Sequence, residues 1–313
     1  MRAKSLFKKS LVKVFHLGQR LGVDILPRHF YSEIPDINRL RRTTAWRAPF
    51  SMIGVEGAEL DPQLQWAADV MNADIRRHLQ AHDVHADAKR ENGEAGFGPM
   101  EAQFLFAFVA RHRPARIVQI GCGVSTALCL AAGRLADYKP HITCVEPYPS
   151  DYLKAAAARG DIQLIAKPVE DVGLDFFAQL ADGDMFFVDS SHTLGPAGEV
   201  TRIVLEMLPR VKKNVFVHFH DVTFPYDYWP SVLDNTVFFR HESPLLHAFL
   251  CMNPGYAICA SLAQLHHARL AELTPLFHNY RPTPMKDGLT TGPGHYPTSI
   301  YLKALSGPSG SIA

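Results

Sequence analysis

Five runs between residues 116 and 219, RIVQI, HITCV, DIQLI, MFFV and VFVHF, are apolar along nearly their whole length instead of alternating apolar with polar. A strand with one wet face alternates, so strands apolar on both sides must be covered on both sides. Helical patterns separate several of the runs, as STALCLAAGRLA does after the first. Parallel neighbours require crossovers of that kind. The pattern predicts a doubly wound α/β fold with a mostly parallel, seven-stranded, Rossmann-like sheet. GYAICASL and YPTSIYLKAL supply the last two strands; MEAQFLFAFVARHR and LLHAFLCM read as helices.

This places the main domain at residues 96–305, after an accessory region of helical and extended segments at 1–95 and before a disordered tail at 306–313. In the accessory region, Phe7, Leu11, Val14 and Leu21 recur at helical spacing, Leu6 and Phe15 widen that face, and Lys4, Lys8, Lys9 and Lys13 spread over the rest. Such a helix can lie on an anionic membrane surface. The commoner arrangement, docking on its own domain or on a partner subunit in a homo-oligomer, is the expectation here. LDPQLQWAADVMNADIRRHLQ reads as a second helical stretch, HADAKRENGEAGFGP as a loop, and residues 270–297 as a long loop.

Composition mainly excludes. A net charge of +1 gives no global reason for a nucleic-acid partner. No apolar stretch is long enough to span a membrane, and the N-terminus lacks the apolar core of a secretion signal, so a cytoplasmic location is expected. Five cysteines without a CxxC pair suggest reduced thiols.

Ligands of open α/β sheets bind at the carboxyl ends of the strands. Those ends read Gln119-Ile120-Gly121-Cys122-Gly123, Glu146-Pro147, Asp189-Ser190-Ser191-His192 and His218-Phe219-His220-Asp221. Gly121 and Gly123 permit a tight turn and close approach by a ligand, and Glu146 falls where an acid can accept hydrogen bonds from a ribose. Thr126 replaces the third glycine of a dinucleotide fingerprint, which lowers a nicotinamide oxidoreductase in the ranking. The acid-rich rim suits a sulfonium cation, and S-adenosylmethionine (SAM) carries one.

The runs RIVQIGCGVST, CVEPYPSDYL, FFVDSSH and LPRVKKNVFVHFHDVTFPYDY resemble class I SAM-dependent methyltransferases. Within them the chain is similar to the group with VDSSH and HFHD signatures, related to the macrocin and mycinamicin sugar O-methyltransferases. The resemblance covers about residues 96–305, and HFYSEIPDI upstream resembles an N-terminal extension found in part of that group.

The resemblance implies that Gly121, Gly123 and Ser125 form the methionine-side loop, that Glu146 with Pro147 holds the ribose, and that Val169 or Glu170 lies near the adenine. Gln119 stands where members usually carry an acid facing the cofactor's ammonium group. Asp189, which also borders the cofactor, and Asp221 match acids that hold a divalent metal, and His192 matches a general base. The function implied is methyl transfer to a hydroxyl of a sugar in a glycan, glycolipid or glycosylated metabolite, with a SAM-binding module without catalysis as the alternative. His220 replaces an acid of the metal set. Imidazole would shift preference from Mg²⁺ towards Mn²⁺, Fe²⁺ or Zn²⁺; alternatively His220 replaces the metal's charge, or no metal binds. His218, deeper in the same strand, is expected to be a hydrogen-bonded core histidine. Phe224, Tyr226, Tyr228 and Trp229 are expected either to stack on a sugar or to pack a loop.

Overall fold

The computed structural model describes residues 2–26, 28, 32, 34–227, 239–284, 290–291 and 297–308. The chain divides into two units, Met1–Thr44 and Ala45–Ala313.

In the first unit, α1 runs over Arg2–Arg20 and α2 over Ile37–Arg42. Asp36 caps α2 by accepting the Arg39 N–H, which satisfies one of the orphan donors of the first turn. The same carboxylate pairs with Arg28. Of the HFYSEIPDI stretch, His29, Phe30, Tyr31 and Glu33 lie outside the described residues.

The second unit opens with α3 (Leu60–Val70), α4 (Ala73–Ala81), α5 (Val84–Asn92) and α6 (Pro99–His112). The alternating part follows: β1 (Arg116–Ile120), α7 (Val124–Leu135), β2 (His141–Val145), α8 (Asp151–Ala158), β3 (Ile162–Ile165), β4 (Met185–Val188), α9 (Glu199–Arg202) and β5 (Phe216–Phe219). It ends with α10 (Glu242–Leu250), β6 (Tyr256–Ser261), α11 (Leu262–Ala268), α12 (Leu270–Leu273), a two-stranded pair of β7 (Thr283–Pro284) and β8 (Thr290–Thr291), and β9 (Ile300–Ala304).

The seven-stranded sheet has the order β3-β2-β1-β4-β5-β9-β6, with β9 antiparallel to both neighbours. Side chains alternate between two cores. Ile117, Phe187 and Phe216 face the layer containing α6 and α7, whereas Val118, Ile120, Phe186, Val188, Val217 and Phe219 face the opposite one. All of these are buried, which explains why the strands read as apolar throughout. Phe187 has no exposed surface, and its loss to Ala should cost about 3–5 kcal/mol.

Four sequence expectations need correction. The boundary between units falls after Thr44, not at 95. Gln63 on α3 is buried and ties residues 45–95 into the second unit, donating to Gly57 O and accepting the Ser261 N–H. The stretch read as a loop at HADAKRENG is helix α5, capped by Asp83 and closed by Gly93 in the left-handed region. The single helical stretch before it is two helices, because Asn72 accepts the N–H groups of Asp74 and Ile75 and starts α4. Within 270–297, α12 and the β7–β8 pair replace part of the predicted loop. Of the expected tail, residues 309–313 lie outside the described residues. No helix among the described residues is long and apolar enough to cross a membrane.

Candidate functional site

Register brings the strand ends together. Ile120 pairs with Val145 on one side and Val188 on the other, and Val188 pairs with Phe219. Gly121, Glu146, Asp189 and His220 therefore leave the sheet level with one another, at the point where the strand order reverses. The N–H groups of Gly121, Asp189 and His220 donate to Val145, Ile120 and Val188, so the ladder continues into the first residue of each loop.

The glycine turn is sterically required. Gly121 has φ of 76°, and a Cβ there would lie 1.9 Å from the carbonyl oxygen of Asp189. Gly123 has φ of 151°, with Asn92 of α5 packed against it. Glu146 accepts from the N–H groups of Cys122 and Tyr148 and closes over this turn from β2. This cradle, with an acid beside backbone too close for any side chain, fits the ribose and methionine portions of SAM. Ser125 is buried at the start of α7, Pro147 is half-buried, Val169 is buried, and Glu170 is half-buried.

Gln119 braces the turn from within β1. It lies one residue inside β1, on the face shared with Ile117, and is fully buried. Its Oε1 accepts from Thr126 Oγ1 at 2.7 Å, and Thr126 Oγ1 in turn accepts from the Gly123 N–H. Gln119 thus supports the turn from below. Cys122 has a thiol pushed well up by burial and is no nucleophile. All five cysteines are free.

The catalytic rim is denser than the sequence indicated. His192, 6% exposed, places Nδ1 2.7 Å from Glu242 Oε2, at the first turn of α10. Glu242 is itself 1% exposed and accepts from Ser190 Oγ through its other oxygen. A backbone bond from the His241 N–H to the His192 carbonyl fastens the same two segments. His192 Nε2 then faces Asp189 Oδ1 at 3.5 Å and Asp221 Oδ2 at 3.6 Å. His192 and Asp221 have φ of 60° and 58°, a left-handed conformation that non-glycine residues adopt mainly under tertiary constraint. Burial alone would push the imidazole pKa down. The Asp189 contact, the Glu242 hydrogen bond and charge, and the Asp221 charge override it and hold the value at about 9.

Asp221 has three further neighbours. Arg240 Nη1 lies 2.6 Å from Oδ2, His220 Nε2 lies 3.6 Å from Oδ1, and Thr298 Oγ1 donates to Oδ1 at 3.1 Å. Burial would raise its pKa, but His220, Arg240, His192 and Thr298 hold it below the usual range. Thr298 also reaches the buried Glu101 on α6, whose carboxyl is pushed up by burial despite the opposing His220 charge and the Thr298 bonds. Phe97 stacks on His220 at 4.2 Å, and Ser299 lies 3.3 Å from its Nδ1.

Asp189, His220 and Asp221 offer one ligand atom each, all within 4.8 Å of one another. Two carboxylates and an imidazole fit a divalent ion, with the borderline transition metals favoured over Mg²⁺. Arg240 already engages one of the oxygens such an ion would use.

His218 is a correction. It is fully buried and stacks on Phe187 at 4.5 Å, and its ring lies 4.6 Å from that of Tyr301, but neither ring nitrogen has a hydrogen-bond partner. Burial, then the neighbouring His220, pushes its pKa well down, so it sits in the core as a neutral ring. Phe224 packs on His247 and Tyr226 on His267, which are loop-packing roles; Tyr228 and Trp229 lie outside the described residues. Glu242, Arg240, Thr298, Phe97 and Asn92 were not singled out from the sequence. Only Asn92 carried a local signal, the Asp83 and Gly93 caps of its helix.

Residues 118–222 match a family described as a methyltransferase domain. An uncharacterised protein from Archaeoglobus fulgidus is 31% identical over 174 residues, covering 53% of this chain and 78% of that protein. Among solved structures, the Podospora anserina methyltransferase PaMTH1 bound to SAH is similar at 16% identity and a TM-score of 0.39, covering 90% of this chain and 98% of that one. A putative O-methyltransferase from Klebsiella pneumoniae is similar at 13% identity and a TM-score of 0.40, covering 78% and 99%. Both structural likenesses are distant; the assignment rests on the matched domain, which runs from β1 past the end of β5. The chain carries a methyltransferase domain and is a SAM-dependent methyltransferase.

Proposed function

We propose that this methyltransferase methylates a hydroxyl group of a sugar, carried on a glycan, a glycolipid or a glycosylated metabolite, with His192 as the general base. The observation that carries the reading is the clamp of Glu242 on His192 Nδ1, which leaves Nε2 directed at the Asp189–Asp221 edge of the rim. The VDSSH and HFHD signatures support a sugar as acceptor.

A sugar hydroxyl holds its proton firmly near neutral pH, so the oxygen needs a base at hydrogen-bond distance as it becomes nucleophilic. SAM supplies an electrophilic methyl group on sulfur. Gly121, Gly123 and Glu146 would hold its methionine and ribose portions, and Val169 or Glu170 would border the adenine. Asp189 and Asp221 would accept hydrogen bonds from the acceptor and orient it towards Nε2. While these carboxylates stay unengaged they help His192 keep its proton. Engaging them with an acceptor or a cation leaves Glu242 as its main counter-charge and lowers its proton affinity. Glu242 then stabilises the imidazolium formed when Nε2 takes the hydroxyl proton. A divalent ion at Asp189, His220 and Asp221 would supply Lewis acidity towards the acceptor oxygen.

Calorimetric titration with SAM and with its demethylated product tests the cofactor assignment, and absence of binding would refute it. With glycosylated acceptors, His192→Ala should lower kcat by roughly 10²–10⁴ while leaving cofactor affinity near the wild-type value. Full activity in that variant would remove His192 from the proton transfer.

A further inference from the structure

The first unit carries a surface that the methyltransferase chemistry does not use. Residues 1–44 hold ten Lys and Arg against three Asp and Glu, a net of +7, whereas the remaining residues hold 22 against 28 and are net negative. The chain's overall +1 therefore conceals a strong segregation of charge. α1 contributes six of the ten cations and contains no acidic residue over its 19 positions.

The helical register sorts these residues. At 100° per residue, Leu6, Leu17, Val14, Phe7 and Leu11 fall in one continuous sector of about 140°. Arg2, Lys9, Lys13 and Arg20 fall within about 40° on one flank of that sector, and Lys4 and Lys8 on the other. Beyond position 10, Val12 is 54%, Val14 42%, Leu17 59% and Leu21 73% exposed, while Leu11 and Phe15 are half-buried. Val23, Ile25 and Leu26 extend the exposed run past the helix end. Few proteins leave so many apolar side chains of one segment in water without a partner for them.

The partner must accept apolar side chains in the middle and cations along both margins. A lipid surface with anionic headgroups does both, because the apolar sector enters the acyl boundary while Lys and Arg reach back to the phosphates. A second copy of the same helix would bring +6 against +6. Spanning is excluded by the six cations within 19 residues, and no described helix qualifies as a membrane span.

We infer that residues 1–26 form an anionic-membrane anchor, with α1 lying in the plane of a bilayer surface rich in acidic phospholipid. The inference stands apart from the chemistry of the site, because none of the rim residues takes part in it.

Flotation of the full chain with vesicles of phosphatidylcholine alone, and with vesicles also containing phosphatidylglycerol, tests it. The protein should float with the anionic vesicles, remain behind with the neutral ones, and be released by high salt. Each basic residue near such a surface is worth roughly fivefold in partitioning, so the triple variant K8Q/K9Q/K13Q should lose about 100-fold. The variant V14D/L17D keeps every cation but should also fail to float. Both variants should keep the wild-type thermal transition, which separates loss of binding from loss of folding. Equal flotation with neutral vesicles, or a triple variant that binds like wild type, would overturn the inference. So would a wild-type protein that ignores vesicles and changes from dimer to monomer on V14D/L17D substitution in light scattering, because α1 would then be a subunit interface.

Discussion

His192 should leave a signature in the pH dependence of stability that needs no acceptor to observe. Its pKa of about 9 stands some 2.5 units above the ordinary histidine value of 6.5. With 7% of the side chain exposed, solvent screens little of this. At 1.36 kcal/mol per unit, the imidazolium with its three carboxylates contributes on the order of 3 kcal/mol to folding. The sign follows from proton counting. Between pH 6.5 and 9 the unfolded chain has released this proton and the folded one retains it, so stability falls as pH rises. The contribution is complete below pH 6.5 and lost as pH passes 9. In a unit of this size 3 kcal/mol corresponds to roughly 6–12 °C in Tm. His192→Gln removes the titration but not the neighbouring cysteines and tyrosines, so the difference between wild type and variant isolates it. Thermal melts from pH 6 to 10 should show the wild type losing that advantage across the window. Parallel curves for the two proteins would mean that the three carboxylates do not hold the proton, and the electrostatic account of the rim would fail.

Three further outcomes follow from the geometry. Gly121→Ala combines a left-handed φ, costing about 1–2 kcal/mol, with a backbone clash at 1.9 Å. It should lower Tm and weaken calorimetric binding of the demethylated cofactor by tenfold or more, and an unchanged Kd would remove the turn from the cofactor site. Arg240→Met frees Asp221 Oδ2 and should tighten Mn²⁺ binding, read by electron paramagnetic resonance, by up to about tenfold; unchanged affinity would mean that Asp221 is not a ligand. His218→Phe replaces two unpartnered buried nitrogens with carbon between Phe187 and Tyr301, and should raise stability by about 1–2 kcal/mol in denaturant melts. A loss instead would show that His218 has a polar partner.

The fold was legible because β1, β2, β4 and β5 are buried on both faces along nearly their whole length, so an apolar run and a strand coincide there; the edge strand β3 is only partly buried. Periodicity failed where burial is slight. α5 has few apolar residues and is defined by the Asp83 cap and the left-handed Gly93, signals of backbone chemistry and not of hydrophobicity. Gln119 shows a second limit. Knowing that a residue lies near a strand end does not say which face it takes, and alternation along β1 turns this amide towards α7. The rim was half legible for a similar reason. Asp189, His192, His220 and Asp221 follow their strands directly, so strand ends predict them. Glu242 lies 50 residues beyond His192, at the start of a helix, and only the three-dimensional approach of α10 makes it a partner.

The place of His220 in the rim makes sense once Arg240 and Glu242 are counted with it. Asp189, Asp221 and Glu242 bring three carboxylates to the rim, and His192 and Arg240 bring two positive partners to them. An acid at position 220 would add a further negative charge beside Asp221, at a place where solvent cannot screen it, and would leave a large deficit for a divalent ion to fill. Histidine there adds none, and its Nε2 lies 3.6 Å from Asp221 Oδ1. The histidine at 220 and the arginine at 240 therefore act in the same sense on the charge of the rim. Together they allow the rim to stay folded and nearly neutral through its own side chains, with any divalent ion competing against Arg240 for Asp221 instead of entering an open cage of acids.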